Sequence, residues 1–309
     1  MSIDLRGTEV LVVVAGIMGA GIVQVAALAG HPVKLFDTRE GAAAQALEKL
    51  AATLKSLVDK GLLDAEAARA AMERMVPINS LAQARGAGLV VEAIVENLDA
   101  KRSLFRELEG LLAPAAVLAT NTSSISVTAI ANGLLHPQRL VGMHFFNPVP
   151  LMKLVEVVHG LQTDAAVADA IFELSKAWGK TPVHAKSTPG FIVNRIARPF
   201  YAETLALLQE QAATPQVLDA CLKAAGFRMG PCELIDLIGH DTNFAVTNSV
   251  YAANFFDKRY VPSLVQAEMV AGGLFGRKSG RGFYAYGEGA AAVPPLPVDA
   301  EFPLFFIYT

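Results

Sequence analysis

Cysteine is nearly absent from this chain. Cys221 and Cys232 are the only two among 309 residues, too few for a disulfide scaffold or a cysteine-based zinc site. Their surroundings read as structural thiols in a reducing compartment. Charge of one sign is scarce as well: 26 Lys and Arg against 29 Asp and Glu leave a net −3. No basic stripe or aromatic–basic repeat runs along the chain, which argues against nucleic acid as the partner. Membrane-length apolar runs are missing; TEVLVVV, at 8–14, is far too short to cross a bilayer. The opening MSIDLRGTEV has neither signal-peptide nor transit-peptide character, so a cytoplasmic protein that does not bind membranes is expected. Core-forming residues, by contrast, are plentiful. Hydrophobic residues make up 53% of the chain, and the length suggests about two domains.

The chemistry begins at the N-terminal run. TEVLVVV is too rich in β-branched residues for a helix and reads as a buried parallel strand. AGIMGAGIVQVAALAGH follows, with Gly16 and Gly19 opening a small-residue helix, and VKLFD then ends at Asp37. Strand, glycine turn, helix, strand and acid form the grammar of a dinucleotide site. The glycines let backbone approach a pyrophosphate, the helix start offers free N–H groups, and the acid takes ribose hydroxyls. Asp37 lies 23 residues beyond Val14, near the roughly 20-residue interval of that fingerprint. One glycine is missing. Aligned on its last two glycines the turn reads Val14-Ala15-Gly16-Ile17-Met18-Gly19, with valine where the tight-turn glycine belongs. A β-branched residue resists positive φ there, at a cost of about 1–2 kcal/mol. A generic glycine turn of any α/β protein is the plainer explanation, but the position and the acid-ended strand favour a nucleotide. Asp37 favours NAD over NADP because a carboxylate repels a 2′-phosphate, while Arg39 leaves an opening for the phosphorylated form.

Twelve residues separate His144 from Glu156 within HFFNPVPLMKLVEVV. A histidine titrating near neutrality can accept the proton of a secondary alcohol while hydride leaves the same carbon, and a carboxylate can orient the ring and stabilise its cation. The plainer alternative is a buried histidine satisfied by a carbonyl. In LVVEAIVENLDAKRSLFRELEGLL, residues 89–95 read as a strand and a helix follows from Asp99. Glu96 and Lys101 then sit at a strand's carboxyl end, where open α/β sheets bind ligands, although a solvated helix start would explain either residue alone. VLATNTSSISVTAIA repeats the pattern, with a strand at 117–120 and Asn121, Ser123 and Ser124 ahead of a helix; one of these is expected to cap it. In STPGFIVNR, Pro189 and Gly190 break the chain before a helical run with Asn194 in about its first turn.

Taken in order and spacing, AGIMGAGI, EAIVENLDAK, NTSSISVTAIA, GMHFFNPVPLMKLVEVV, STPGFIVNR, GPCELIDLIGHD and GRKSGRGFYAY resemble the L-3-hydroxyacyl-CoA dehydrogenases from about residue 8 to residue 286. STPGFIVNRIARPFY, DLIGHDTNFAVTNSVY and PSLVQAEMVAGG are most similar to the bacterial phenylacetate-catabolic branch, whose substrate is 3-hydroxyadipyl-CoA. The resemblance implies an NAD-dependent oxidation of an acyl-CoA substrate. It makes His144 the base, Glu156 its carboxylate partner, Ser123 the contact to the substrate hydroxyl and Asn194 a restraint on the reacting acyl group. It places Val14 to Gly19, Asp37, Glu96, Lys101, Ser123 and Lys278 at the cofactor, and Lys101, Ser123 and Asn194 near the acyl-CoA. Lys55 and Lys60, in LKSLVDKGLLD, are candidates for the CoA phosphates, though two lysines on a polar helix are commonly just solvated. No metal is expected. A homodimer joined through the helical domain is implied.

The expected architecture is α/β: a doubly wound Rossmann-type sheet over 1–186, including a helical excursion at about 41–75, then an all-α domain over 187–286. A Pro- and Ala-rich tail over 287–309 ends in FPLFFIYT. Substrate is expected in the cleft between the domains. Two rivals stand. A two-domain dehydrogenase with a lysine acid/base is opposed by His144 and Glu156. A non-catalytic descendant, similar to the lens crystallin of this fold, is favoured only by Val14.

Overall fold

The computed structural model of the chain describes residues 3–287; the tail expected from Gly287 onward lies, beyond that glycine, outside the described residues. The chain divides into two compact units, Met1–Ile192 and Val193–Thr309.

The first unit runs β1 (Val10–Val13), α1 (Ile17–Leu28), β2 (Val33–Phe36), α2 (Ala42–Asp59), α3 (Ala65–Glu73), β3 (Met75–Ile78), β4 (Leu89–Glu92), α4 (Leu98–Leu111), β5 (Val117–Thr120), α5 (Val127–Ala131), β6 (Leu140–Phe145), β7 (Leu154–His159), α6 (Ala165–Ala177) and β8 (Thr181–Lys186). These strands form one eight-stranded sheet in the order β3-β2-β1-β4-β5-β6-β7-β8. Why β1 is apolar throughout follows from its central place. Val10 and Val12 point into a core shared with Ile22, Leu50, Ala68 and Ile171 from helices on one face. Leu11 and Val13 point into a second core with Phe105 and Ile130 on the other. A strand covered on both faces has no polar side to present.

One pair departs from the doubly wound expectation: β6 and β7 are antiparallel, whereas the other neighbours are parallel. Only residues 146–153 join them, fewer than the dozen or so that a parallel crossover needs. The excursion after β2 is two helices, because Asp64 caps α3 by accepting from Ala67 N (2.9 Å) and restarts the chain.

The second unit is helical: α7 (Val193–Gln209), α8 (Pro215–Ala224), α9 (Pro231–Ile238), α10 (His240–Ala253) and α11 (Leu264–Ala271), with Tyr201, Leu205 and Ile235 at its core. The boundary falls six residues later than the expected 186/187. Phe191 belongs to the core of the first unit, and Ile192 N donates to Glu156 on β7 (2.9 Å), so residues 187–192 stay with the sheet. Among the described residues no helix is long and apolar enough to cross a membrane.

Candidate active site

His144 on β6 and Glu156 on β7 are direct partners in the antiparallel register. Opposed residues on one face of such a pair lie side by side, and here the side chains meet at 2.6 Å, His144 Nδ1 to Glu156 Oε2. His144 is 5% exposed and Glu156 fully buried. An ionised carboxylate only accepts, so beside it the ring's Nδ1 carries the proton and Nε2 the lone pair. The other oxygen, Oε1, accepts from Ile192 N. Phe146 and Phe191 pack on the imidazole at centroid separations of 4.5 and 5.7 Å. The ring is held by a bond on one edge and by aromatic walls.

A second charged cluster stands at the carboxyl ends of β4 and β5. Lys101 Nζ, on α4, lies 2.6 Å from Glu92 Oε1 and 3.3 Å from Glu96 Oε2. Thr120 donates to the remaining oxygen of Glu92 (2.6 Å). Glu96 Oε1 is crowded with donors: Thr122 Oγ1 (2.6 Å), Ser123 N (2.9 Å) and Oγ (3.3 Å), and Ser124 N (3.0 Å) and Oγ (3.0 Å). Burial pushes the Glu96 carboxyl up, but the Lys101 charge and these bonds outweigh it and hold the group below its ordinary range. Asn121 Oδ1 accepts from Phe145 N (2.8 Å), which ties this loop to the residue after His144.

Lys101 is 1% exposed, and its ammonium is enclosed by the two glutamates, which fixes Glu96. None of Asn121, Ser123 and Ser124 caps α5; Ser126 does, accepting from Ala129 N (3.2 Å). The serines instead face Glu96. Glu92 and Thr120 went unnoticed in the sequence because they sit inside an apolar strand, and only the buried lysine explains them.

The glycine turn has the geometry that valine resists. Val14 sits at φ +91°. A Cβ on Gly19 would lie 1.8 Å from the Val14 carbonyl oxygen, so a glycine is obligatory there. Gly16 starts α1 with no side-chain cap, leaving its first N–H groups open. Ala15 N donates to Asp37 Oδ2 (2.9 Å). Arg39 covers both Asp37 oxygens, at 3.1 Å each, and chiefly this contact holds the carboxyl down at about 2. Bare glycine backbone, open N–H groups and an ionised acid at the end of β2 fit the pyrophosphate and ribose of NAD.

Beside this turn lies a cleft of about 520 Å³, lined by Gly16, Gln45, Lys49, Thr53 and the segment Asn147–Pro150 among others. Lys55 and Lys60 are exposed and do not line it. The residues that do, 45, 49 and 53, follow the four-residue period beside the buried stripe Ala46, Leu50 and Leu54, a helical signal that was present in the sequence. In the second unit, Asn194 occupies the first turn of α7. Lys278 lies 2.5 Å from Asp241 Oδ1. No cluster of three or more metal-ligating side chains occurs among the described residues.

Comparison with known proteins gives this geometry a family. The chain matches "3-hydroxyacyl-CoA dehydrogenase, NAD binding domain" over residues 9–188 and the C-terminal domain of the same enzymes over 190–286. It is 50% identical to the 3-hydroxyadipyl-CoA dehydrogenase of Escherichia coli over 94% of its own length, and spans 62% of that protein. It is 38% identical to a probable 3-hydroxybutyryl-CoA dehydrogenase of Bacillus subtilis, covering 91% of this chain and 98% of that one. A crystal structure of 3-hydroxybutyryl-CoA dehydrogenase from E. coli superposes with a TM-score of 0.91 at 49% identity, over 94% of this chain and 61% of that one. With both of its regions matched and its sheet carrying a buried histidine–glutamate pair, the chain belongs to the 3-hydroxyacyl-CoA dehydrogenase family.

Proposed function

We propose that the protein oxidises an L-3-hydroxyacyl-CoA to the 3-oxoacyl-CoA, with 3-hydroxyadipyl-CoA or 3-hydroxybutyryl-CoA as substrate. The observation that carries this is the 2.6 Å contact between His144 Nδ1 and Glu156, because it leaves Nε2 as the proton acceptor. The Gly16–Gly19 turn and Asp37 would hold NAD, which when bound would supply the acceptor for the C3 hydride. His144 Nε2 takes the hydroxyl proton, and Glu156 offsets the imidazolium charge so formed. Ser123 fixes the substrate hydroxyl, Glu96 anchors Ser123 through bonds to its N and Oγ, and Asn194 restrains the thioester end. The Phe146 and Phe191 rings keep water from the imidazole.

Absorbance at 340 nm with acetoacetyl-CoA and NADH tests the reading. The expected result is NADH consumption at ordinary enzyme rates, and no turnover would favour the non-catalytic, crystallin-like descendant. For the assembly, a homodimer through the helical unit is supported by apolar side chains left on its surface, Phe255 at 92%, Leu264 at 70% and Ile196 at 68% exposure. Sedimentation at micromolar concentration should give twice the chain mass. A cytoplasmic setting rests on the two free thiols.

A further inference from the structure

The face of β7 opposite Glu156 leads to a second pair of rings. Side chains alternate along a strand: Val155 and Val157 enter the core shared with α6, while Val158 enters the core on the other face. His159 ends the first of these rows. Its Nε2 lies 2.8 Å from His184 Nδ1 on β8, and the ring centroids are 4.9 Å apart. Val157 is the register partner of His184, so the two histidines meet on the diagonal between parallel strands. Phe172 of α6 stacks on the His184 ring, 4.5 Å away and 8° from parallel, which fixes its plane. Asp169, one turn earlier on that helix, places Oδ1 3.8 Å from the ring's other nitrogen, Nε2.

A neutral imidazole has one N–H and one lone pair. Asp169 favours the proton on His184 Nε2, so Nδ1 turns its lone pair toward His159. Two imidazole nitrogens directed at one place, with a carboxylate behind one ring, form the arrangement that holds transition-metal ions. The His184 side chain is 42% exposed, which gives an ion a path from solvent. Lys186, the register partner of His159, is exposed and keeps its ammonium in water. We infer that His159 and His184 chelate a divalent transition-metal ion of the zinc, nickel or copper kind. The ion replaces the proton shared between the rings, which leaves to solvent, and both nitrogens become ligands. Zinc–nitrogen bonds at a tetrahedral angle put the two nitrogens about 3.3 Å apart, so the pair opens by about half an ångström. Water fills the other positions, since no group of three metal-ligating side chains occurs among the described residues. The ion ties β8, at the edge of the sheet, to β7, on the face away from the His144–Glu156 contact.

Calorimetric titration of the untagged full chain with zinc chloride at neutral pH tests the site. One ion should bind per chain. Affinity should fall by about 100-fold in His159→Gln and in His184→Gln, and by about tenfold in Asp169→Asn, the range known for removing a carboxylate behind a ligating ring. His144→Gln and Cys221→Ser, which remove the other carboxylate-paired ring of the sheet and the exposed thiol, should bind zinc as the wild type does. Zinc well above its dissociation constant should also raise the wild-type Tm and leave that of His184→Gln unchanged. If one histidine variant does not fold, the other and Asp169→Asn carry the test. No binding and no Tm shift in the wild type, or an affinity that neither histidine variant moves, overturns the site. Zinc binding lost in His144→Gln or Cys221→Ser and kept in His184→Gln overturns it too, by placing the ion elsewhere.

Discussion

Buried carboxylates appear in both units, and they are used differently. In the helical unit Asp236 is fully buried, and four donors saturate it: His240 Nε2 (3.0 Å) and Phe283 N (3.0 Å) on Oδ1, Tyr284 N (3.0 Å) and the Tyr286 hydroxyl (3.0 Å) on Oδ2. Asp219 is tied likewise by Cys232 N (2.8 Å), Glu233 N (3.0 Å) and the Tyr284 hydroxyl (2.6 Å). These aspartates pin the segment 281–286 to α8 and α9, and their donors belong to the fold. In the sheet unit Glu156 holds a ring whose second nitrogen is free to take a proton, and Glu96 stays 35% exposed beside two serines at the open strand ends. Burial alone therefore does not mark a functional carboxylate. On the proposed function, the acids of the sheet unit prepare a neighbouring group to act, while those of the helical unit only close the structure.

The largest effect that would break this distinction concerns turnover. His144→Ala and Glu156→Gln should each lower kcat by about 10²- to 10⁴-fold with little change in KM, the usual worth of a general base. Asp236→Asn should leave kcat per folded molecule within threefold or so. Near wild-type turnover in both of the first two variants would remove the pair from its role. The proton balance gives a directional companion. Oxidation delivers a proton to His144 and reduction withdraws one, so the oxidation rate should fall toward acid pH while the chemical step of reduction holds. Identical pH profiles in the two directions, at saturating substrate, would exclude His144 as the proton carrier.

Stability should separate the two aspartates next. Burial pushes Asp236 up, yet its bonds from His240, Tyr284, Phe283 and Tyr286 outweigh that and hold it below its ordinary value. Its stabilisation is thus full above the unfolded pKa, about 3.9, and is lost as pH falls through the lower folded value. Asp219 has the opposite sign: burial wins over Tyr284 and the backbone donors and raises it, so its contribution is full below the unfolded pKa and lost as pH rises through the folded one. Asp236→Asn should then cost about 2–3 kcal/mol at pH 7, and Asp219→Asn clearly less. Urea unfolding at pH 7 and pH 4 reads both. Equal costs at pH 7 would show that charge does not distinguish the two sites.

How much of this was legible in the sequence depends on how local the signal is. Strand β5 at 117–120, the glycine turn, Asp37 at the end of β2 and Asn194 in the first turn of α7 could be read directly, because each rests on short-range periodicity or a turn residue. The His144–Glu156 contact could be suspected from spacing, but its geometry depends on an antiparallel register that a short connection imposes. The burial of Lys101 was not legible. It opens a helix whose sequence is polar, and only the tertiary position of Glu92 on β4 turns it inward. Lys49 and Thr53 line the cleft while Lys55 and Lys60 do not, because helical phase rather than charge decides which side chains face it.

The smallest expected effect is at Val14, where local backbone and ligand approach are in conflict. At φ +91° the valine holds strain of about 1–2 kcal/mol. That strain does not by itself weaken the cofactor, since a turn that keeps its shape carries the same cost free and bound. In Val14→Gly the relief is also offset by the greater freedom of glycine in the unfolded chain, about 0.4–1 kcal/mol, so folding stability should move little. The side chain is another matter. Its Cγ1 lies 3.6 Å from where a Cβ on Gly16 would stand, beside the backbone that the proposed function gives to the cofactor. Removing it should tighten NADH binding by about tenfold, equivalent to roughly 1.4 kcal/mol, with Tm nearly constant. Calorimetric titration of both forms decides the matter: unchanged or weaker binding in the glycine variant would show that the turn accommodates valine without obstructing the cofactor.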